Sequence, residues 1–457
     1  MSPGFADGAI TVDPTQRFQK IDGFGFALTD SAAYLIDQVP NDTGQRTAVL
    51  RELFDPTAGI GVSWMRIVMA ASDFTLTPRP WYSYRPTEAD SFDVNRPRPG
   101  SPAGDNSHII PLLQQARALS GGQVFFFANP HSAPGWMKGN GDMWNLGGDG
   151  CLLGYCPNSP RDVRDQYTQY FADFVRTYEA AGIPIDALGV QNEPGNVTDY
   201  PGGNLRRSTN GQTVQPAAVY TTSDQLDFIS RLKAKLTTSG LSQTPKLWAE
   251  LNSWEATSKI AGSADPGSVD GLSYHCYFYA KGGLDDFHAA FPDKSIDETE
   301  CTQVTPAGNI PTTTEVLFDA MQHFASSGSN WNLALDPTGG PQATCSSSPD
   351  QCGTHGSDQT APVTITGPPG QATATLTREY YEMGQFSKFV RPGAVRIGSS
   401  QLDGVASVAF QNPDGSRVAV VHNTRTTSVD LAVNLGDGRH INPVTLQPDE
   451  SSTFTWT

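Results

Sequence analysis

Two acidic positions in this 457-residue chain stand where side chains could do chemistry together. The first is Glu193. It follows the apolar run Leu188–Gly189–Val190–Gln191 and sits between Asn192 and Pro194. Proline lacks the amide proton a central strand needs, so the run predicts a strand that stops there with Glu193 at its exit. The second is Glu300, in KSIDETEC over Lys294–Cys301. Side chains alternate along a strand, so Glu298 and Glu300 point the same way, with Glu300 nearer the C-terminal end. Two carboxyls roughly 5–5.5 Å apart can break a glycosidic bond with retention: one protonates the leaving oxygen and the other attacks the anomeric carbon. Mutual repulsion would keep the proton on the acid until the nucleophile is consumed. Glu193 is assigned the acid/base role and Glu300 the nucleophile. Glu298 would lie one layer deeper, where burial calls for a partner.

These roles require elements that bring positions 107 residues apart to one place. Short apolar segments alternate with amphipathic ones. Strands are predicted at Gly23–Leu28, Val62–Val68, Val124–Ala128, Ala187–Gln191, Lys246–Glu250, Gly271–His275, Lys294–Thr299 and Trp331–Leu335, eight in all. Arg164–Ala181 carries Tyr167, Tyr170, Phe171, Phe174, Val175 and Tyr178 at helical spacing. Ser223–Leu236 presents Leu226, Ile229, Leu232 and Leu236 on one face. Strand–helix alternation predicts an α/β fold with parallel strands, and eight units predict a (β/α)8 barrel with its active site at the C-terminal strand ends. At about 35 residues per unit, the separation carries the chain from the fourth strand to the seventh.

Beyond about residue 381 the pattern changes to alternation of apolar and polar residues. Strands are predicted at Val405–Phe410, Arg417–Asn423, Ser428–Val433 and Ser451–Trp456, with a hairpin turn at Asn412–Gly415, NPDG. Ala9–Phe18 also reads as a strand that could pair with this sheet. The expected fold class is therefore a (β/α)8 TIM barrel over residues 20–385, fused to an antiparallel β-sandwich-like side domain built from 1–19 plus 386–457.

Composition narrows the partners. Net charge is −17, and the 30 Lys and Arg residues form no basic block. Nucleic acid is not an expected partner, because phosphate binding needs a clustered positive face. No apolar run reaches the roughly 18 residues that would span a membrane. A neutral carbohydrate suits the charge. Cys151 with Cys156 and Cys345 with Cys352 lie in loop-like stretches and suggest local disulfides, hence an oxidising compartment and a secreted protein. Cys276 and Cys301 sit in strand-like segments and read as free buried thiols. Trp136, Trp144, Trp248, Trp254, Tyr277 and Trp331 fall near predicted strand ends, where aromatic faces could stack on sugar rings. No HExxH, P-loop or dinucleotide fingerprint is present, so no cofactor and no metal are expected.

At this point an ordered set of segments resembles glycoside hydrolase family 30, the group of glucosylceramidases and microbial β-1,6-glucanases. They are FQKIDGFGFALTDSAA (Phe18–Ala33), WMRIVMAASDF (Trp64–Phe74), SAPGWMKGNG (Ser132–Gly141), VQNEP (Val190–Pro194), YHCY (Tyr274–Tyr277), TEC (Thr299–Cys301), NWNLALDPTGGP (Asn330–Pro341) and GQFSKFVRPGAVRIGSS (Gly384–Ser400). The resemblance implies the barrel, a side β-domain from both termini, and the two glutamate roles. By the same match Asp73 would bind hydroxyls of the terminal sugar and Asn192 the 2-hydroxyl. Trp136 and Trp331 would wall the subsite, His275 and Tyr277 would orient the nucleophile, and Tyr200 and Asn252 would line the pocket. From the residues alone, His275 reads equally as a satisfied core histidine and Asp73 as a helix N-cap. Glu298 and the Cys345–Cys352 loop depart from the pattern. The expected activity is retaining hydrolysis of β-glucosidic bonds, exo-acting or glucosylceramidase-like. The alternatives are an endo-acting β-1,6-glucanase, β-1,6-galactanase or xylanase, and, in another class, a non-catalytic carbohydrate-binding protein. The sequence does not indicate the oligomeric state.

Overall fold

The computed structural model describes residues 8–76, 81–97, 104–138, 141–143, 162–193, 222–251, 253–277, 281–304, 311–345 and 352–457. After β1 (Gly8–Lys20), eight parallel strands close into a barrel in chain order. They are β2 (Gly23–Leu28), β3 (Trp64–Val68), β4 (Phe125–Asn129), β5 (Ala187–Gly189), β6 (Lys246–Glu250), β7 (Gly271–His275), β8 (Ser295–Glu300) and β9 (Ala325–Asn330). Closure comes where β9 pairs with β2, Gly23 opposite Ser327, which leaves no open edge. The expected amphipathic helices are observed at Arg164–Ala180 and Thr222–Thr237, with their apolar faces buried.

The eighth strand corrects the sequence reading. It is Ala325–Asn330, and the segment expected to fill that role, Trp331–Leu335, leaves the barrel mouth instead. Within it, Ala334–Leu335 pairs with Val363–Thr366 in a separate three-stranded sheet. ASSGSN has no large apolar side chain, so it gives no hydrophobic signal, yet every residue of the strand is buried. The smallness is required by its neighbours: a Cβ at Gly328 would stand 2.3 Å from Leu317 Cδ2. Gly25 answers a similar need, since a Cβ there would lie 1.8 Å from the Trp64 carbonyl on the paired strand. Elsewhere aromatic rings fill the interior. Phe127 stacks between Trp64 at 5.8 Å and Trp248 at 5.1 Å, and the small Ala187 on intervening β5 leaves them room. Trp248 is fully buried in this stack, so it is a core ring and not an exposed platform for sugar.

The second sheet has seven strands in the order His440–Leu446, Val429–Asn434, β1, Val395–Ser399, Val405–Gln411, Arg417–Asn423, Ser451–Trp456. β1 lies near its middle, parallel to Val429–Asn434 and antiparallel to Val395–Ser399. The Asn412–Gly415 turn joins its strands as expected, with Gly415 at φ 87°. Val395–Ser399 and His440–Leu446 were not legible as strands, the latter because most of its side chains are exposed and polar or isolated. Val408, Phe410, Val418 and Val420 enter the same buried cluster as Met383 and Phe386 of helix Arg378–Ser387, so sheet and barrel share a core.

Candidate active site

The C-terminal ends of β3, β5, β6, β7 and β8 converge on one acidic cluster. Beyond β5 the chain turns sharply, and Glu193 adopts φ 46°, a left-handed conformation that costs a non-glycine residue about 1–3 kcal/mol. The turn aims the side chain across the mouth. One carboxylate oxygen of Glu193, one of Glu300 and a ring nitrogen of His275 all lie within 4.8 Å of one another. Glu193 is part-buried and Glu300 is 8% exposed, so both reach a common space with little water around them.

Arg66 organises the floor. It is fully buried in β3, and its Nη1 donates to Glu300 Oε2 at 2.6 Å and to the Thr299 carbonyl at 3.3 Å. Nη2 donates to Asn192 Oδ1 at 2.6 Å and Nε to Asn129 Oδ1 at 3.0 Å. The guanidinium also sits over the Trp331 ring, 4.7 Å from its centroid. A buried cation so placed supports negative charge on Glu300. Tyr277 donates its hydroxyl to Glu300 Oε1 at 3.3 Å. Burial, then the charges of Glu300 and Glu193, hold that phenol well above its usual pKa, so it stays a donor.

His275, last residue of β7, faces three carboxylates. Nδ1 is 3.0 Å from Glu193 Oε1 and 3.7 Å from Glu300 Oε1, and Nε2 is 3.5 Å from Glu250 Oε1, an ion-pair distance without a hydrogen bond. Burial alone would lower its pKa, but Glu300, Glu250 and Glu193 together push it up to about 9. Glu250 ends β6. It accepts the Glu193 peptide N–H at Oε1 and Asn129 Nδ2 at Oε2, 3.4 Å away. Its pKa is raised by burial, with His275 and Arg66 opposing. Glu193, His275 and Glu300 are also close enough together to hold a cation.

The other expected residues are placed as follows. Asp73 is buried in the loop after β3. Gln342 Nε2 donates to its Oδ2 at 3.2 Å, and its carbonyl accepts the Ala343 N–H. It is not a helix N-cap. Its neighbour Phe74 meets Trp331 edge-on at 6.4 Å. Trp331 is 3% exposed and is also stacked on His131 at 5.4 Å. Trp136 is part-buried, donates Nε1–H to the Arg85 carbonyl at 2.8 Å and lies under the Arg85 guanidinium. Tyr200, Asn252 and Trp144 lie outside the described residues, as does the side chain of Trp254.

Glu298 is fully buried directly before the site. Its Oε2 accepts the Ser329 N–H at 2.6 Å, which supplies the partner expected for it, while Oε1 has none. Burial pushes its pKa up to about 8. The β7–β8 register shifts between the Tyr274–Glu298 and His275–Glu300 pairs, so a bulge at Thr299 re-aims Glu300.

The cysteines bring a correction. Cys276 and Cys301 are not free thiols but a disulfide, cross-linking the residues that follow His275 and Glu300. Their sequence spacing spans one strand–helix unit, and only barrel pairing brings the two strand ends side by side. Cys345 and Cys352 stand opposite each other in an antiparallel pair, with side chains outside the described set. Cys151 and Cys156 lie outside it altogether. Among the described residues no helix is long and apolar enough to cross a membrane.

Two family models cover this architecture. Residues 21–390 match the glycosyl hydrolase family 30 TIM-barrel domain, and residues 393–454 match the glycosyl hydrolase family 30 beta sandwich domain. The chain belongs to glycoside hydrolase family 30. This family 30 hydrolase is 31% identical to an endo-1,6-beta-D-glucanase of Neurospora crassa, over 94% of this chain and 84% of that protein. It is 29% identical to the lysosomal acid glucosylceramidase of Mus musculus, over 93% of this chain and 79% of the relative. Its fold also matches the crystal structure of SrfJ from Salmonella typhimurium, with a TM-score of 0.79 at 23% identity over 99% of this chain and 93% of that one. Three members of the cluster were not found from the sequence: Arg66, Asn129 and Glu250. Each carried a signal, namely a polar side chain inside or closing an apolar strand, WMRIV, FFFAN and KLWAE.

Proposed function

We propose that this family 30 hydrolase cleaves β-glucosidic bonds by double displacement, with Glu193 as acid/base and Glu300 as nucleophile. The supporting observation is the carboxylate pair, one oxygen of each within 4.8 Å of the other, which suits the short separation of a retaining pair. Glu193 gives a proton to the leaving oxygen while Glu300 attacks the anomeric carbon. With Glu300 esterified, Glu193 accepts a proton from the incoming water and the ester is hydrolysed. Asn192, locked by Arg66, presents an amide to the 2-hydroxyl. Asp73, Trp136 and Trp331 line the sugar pocket, Tyr200 and Asn252 are assigned to it by the family resemblance alone, and His275 and Tyr277 orient the carboxylates. The catalytic unit is residues 20–385, with 1–19 and 386–457 as the side domain, and the disulfide supports secretion.

The exo-acting or glucosylceramidase-like reading is favoured by the mouth itself. The loops after β3 and β9 are tied through Asp73, Gln342 and Ala343, an arrangement that suits a closed first subsite. The endo-acting reading on β-1,6-glucan is favoured by the names of the Neurospora crassa and Trichoderma harzianum relatives, at 31% and 30% identity. Digestion of β-1,6-glucan separates them: glucose from chain ends supports the first, and oligosaccharides at early times the second. For the mechanism, Glu193→Gln and Glu300→Gln should each lose at least about 100-fold in activity. Proton NMR of the first-formed sugar should show the β-anomer. Activity at parental level in both variants, or an α-anomer first, would remove the basis of the proposal.

A further inference from the structure

We propose that Glu250 is a positioning residue that keeps His275 protonated between the two catalytic carboxylates and holds the backbone turn of Glu193. Three geometric facts carry this. Glu250 Oε1 accepts the peptide N–H of Glu193, the residue held at φ 46°. The same oxygen faces His275 Nε2 at 3.5 Å, while His275 Nδ1 lies 3.0 Å from Glu193 Oε1. Glu250 is itself clamped. Its N–H donates to Gln225 Oε1 at 2.8 Å, Gln225 Nε2 donates to its carbonyl at 3.1 Å, and Asn129 holds Oε2. With its backbone held by Gln225 and its two carboxylate oxygens by Glu193 N–H and Asn129, a residue only 6% exposed has little freedom to do anything but face the imidazole.

The charge balance shows what that does for the reaction, resting on the acid/base reading of Glu193. On this reading Glu193 carries its proton before the first step, and ion pairing with Arg66 and His275 offsets the charge of Glu300 and Glu250, so the cluster is neutral. The proton leaves with the aglycone oxygen as the Glu300–sugar bond forms and the glycosidic bond breaks. Glu193 is then negative and Glu300 neutral, and the cluster is neutral again. His275 Nδ1–H is the donor that faces the new Glu193 anion. Without a negative Glu250 behind it, the imidazole would lose its proton to solvent at lower pH, because burial disfavours the cation. The groups facing His275 are Glu193 after β5, Glu250 on β6, Glu298 and Glu300 on β8, Arg66 on β3, His131 after β4 and Tyr277 on its own loop. Of these, only Glu250 lies on the Nε2 side at ion-pair distance among the described residues.

The test uses Glu250→Gln, which keeps an oxygen for the Glu193 N–H but removes the charge. For a substrate with a poor leaving group, kcat/KM should fall roughly 10- to 100-fold, and the His275 ring-proton titration should move down by about one pH unit or more. For 2,4-dinitrophenyl β-glucoside, whose leaving group needs no proton, kcat/KM should stay within about 3-fold. Equal losses on both substrates with an unmoved His275 titration would overturn the proposal and mark Glu250 as structural. Glu193→Gln run in parallel separates the two readings. If that variant also lacks leaving-group dependence, the acid assignment of Glu193 fails; if it shows the dependence and Glu250→Gln does not, only the Glu250 proposal fails. Should Glu250→Gln not fold, the parent enzyme decides. The His275 ring-proton NMR signal, identified by its loss in His275→Asn, should titrate above about pH 8, and titration below pH 7 refutes the proposal.

Discussion

Replacing Glu298 with glutamine should make the enzyme more stable relative to the parent as pH rises, and the size of the effect follows from its burial. Glu298 has no exposed surface, one carboxylate oxygen accepts the Ser329 N–H, and the other has no partner. Burial lifts its pKa from 4.5 to about 8, so it is neutral in the folded state at pH 7 but ionised in the unfolded chain. A group with a raised folded pKa contributes stability that is fully present below its unfolded value. That contribution is lost as pH climbs through the folded one. Here the window runs from about 4.5 to about 8. At about 1.36 kcal/mol per pH unit, the full loss across it is on the order of 5 kcal/mol as an upper figure. Glutamine mimics the neutral acid: its carbonyl accepts the Ser329 N–H and its amide stands where the carboxyl proton stood. Thermal unfolding at pH 5 and pH 8.5 is the assay. Asp297 and Glu379, with values pushed up to about 7 and about 8, titrate in the same window in both proteins and largely cancel in the difference. The Tm of Glu298→Gln minus that of the parent should be several degrees more positive at the higher pH. A difference that does not change with pH would refute the reasoning, because it would mean that Glu298 is ionised in the fold.

Arg66→Met should lower kcat/KM by roughly 100- to 1000-fold and destabilise the fold by about 3–5 kcal/mol, since Glu300 is left without its buried counter-charge. Kinetics and a melting curve on the same sample check both, and a loss under 5-fold would contradict the role given to the guanidinium. Removing the Cys276–Cys301 bridge with paired serines should cost about 3 kcal/mol for a closed loop of 25 residues, read as a lower Tm, with dithiothreitol lowering the parent toward the variant. Gly25→Ala should cost at least about 3 kcal/mol, because the new Cβ would overlap the Trp64 carbonyl and a paired strand cannot step aside. Soluble yield and Tm read that effect.

Features that depend on local pattern were legible in the residues alone. Apolar runs alternating with helical faces produced seven of the barrel strands, although β5 stops at Gly189, short of the Gln191 read as its last residue. Period-two alternation marked four strands of the side sheet. The two glutamates were legible because one ends β8 and the other follows β5 closely, and strand ends of a barrel meet at one face. Relations across strands emerge only when the chain is folded. Ala325–Asn330 is a barrel strand because small residues fit beneath Leu317 and beside Phe24, a demand set by neighbours and invisible in ASSGSN. Cys276 and Cys301 are bonded because β7 and β8 are adjacent and end level. Arg66, Asn129 and Glu250 belong to the site because closing the barrel brings the ends of β3, β4 and β6 beside those of β5 and β8. Burial then sets their charges: a carboxylate or imidazole takes its proton affinity from the dielectric and the ions around it, and those come from residues distant in the chain.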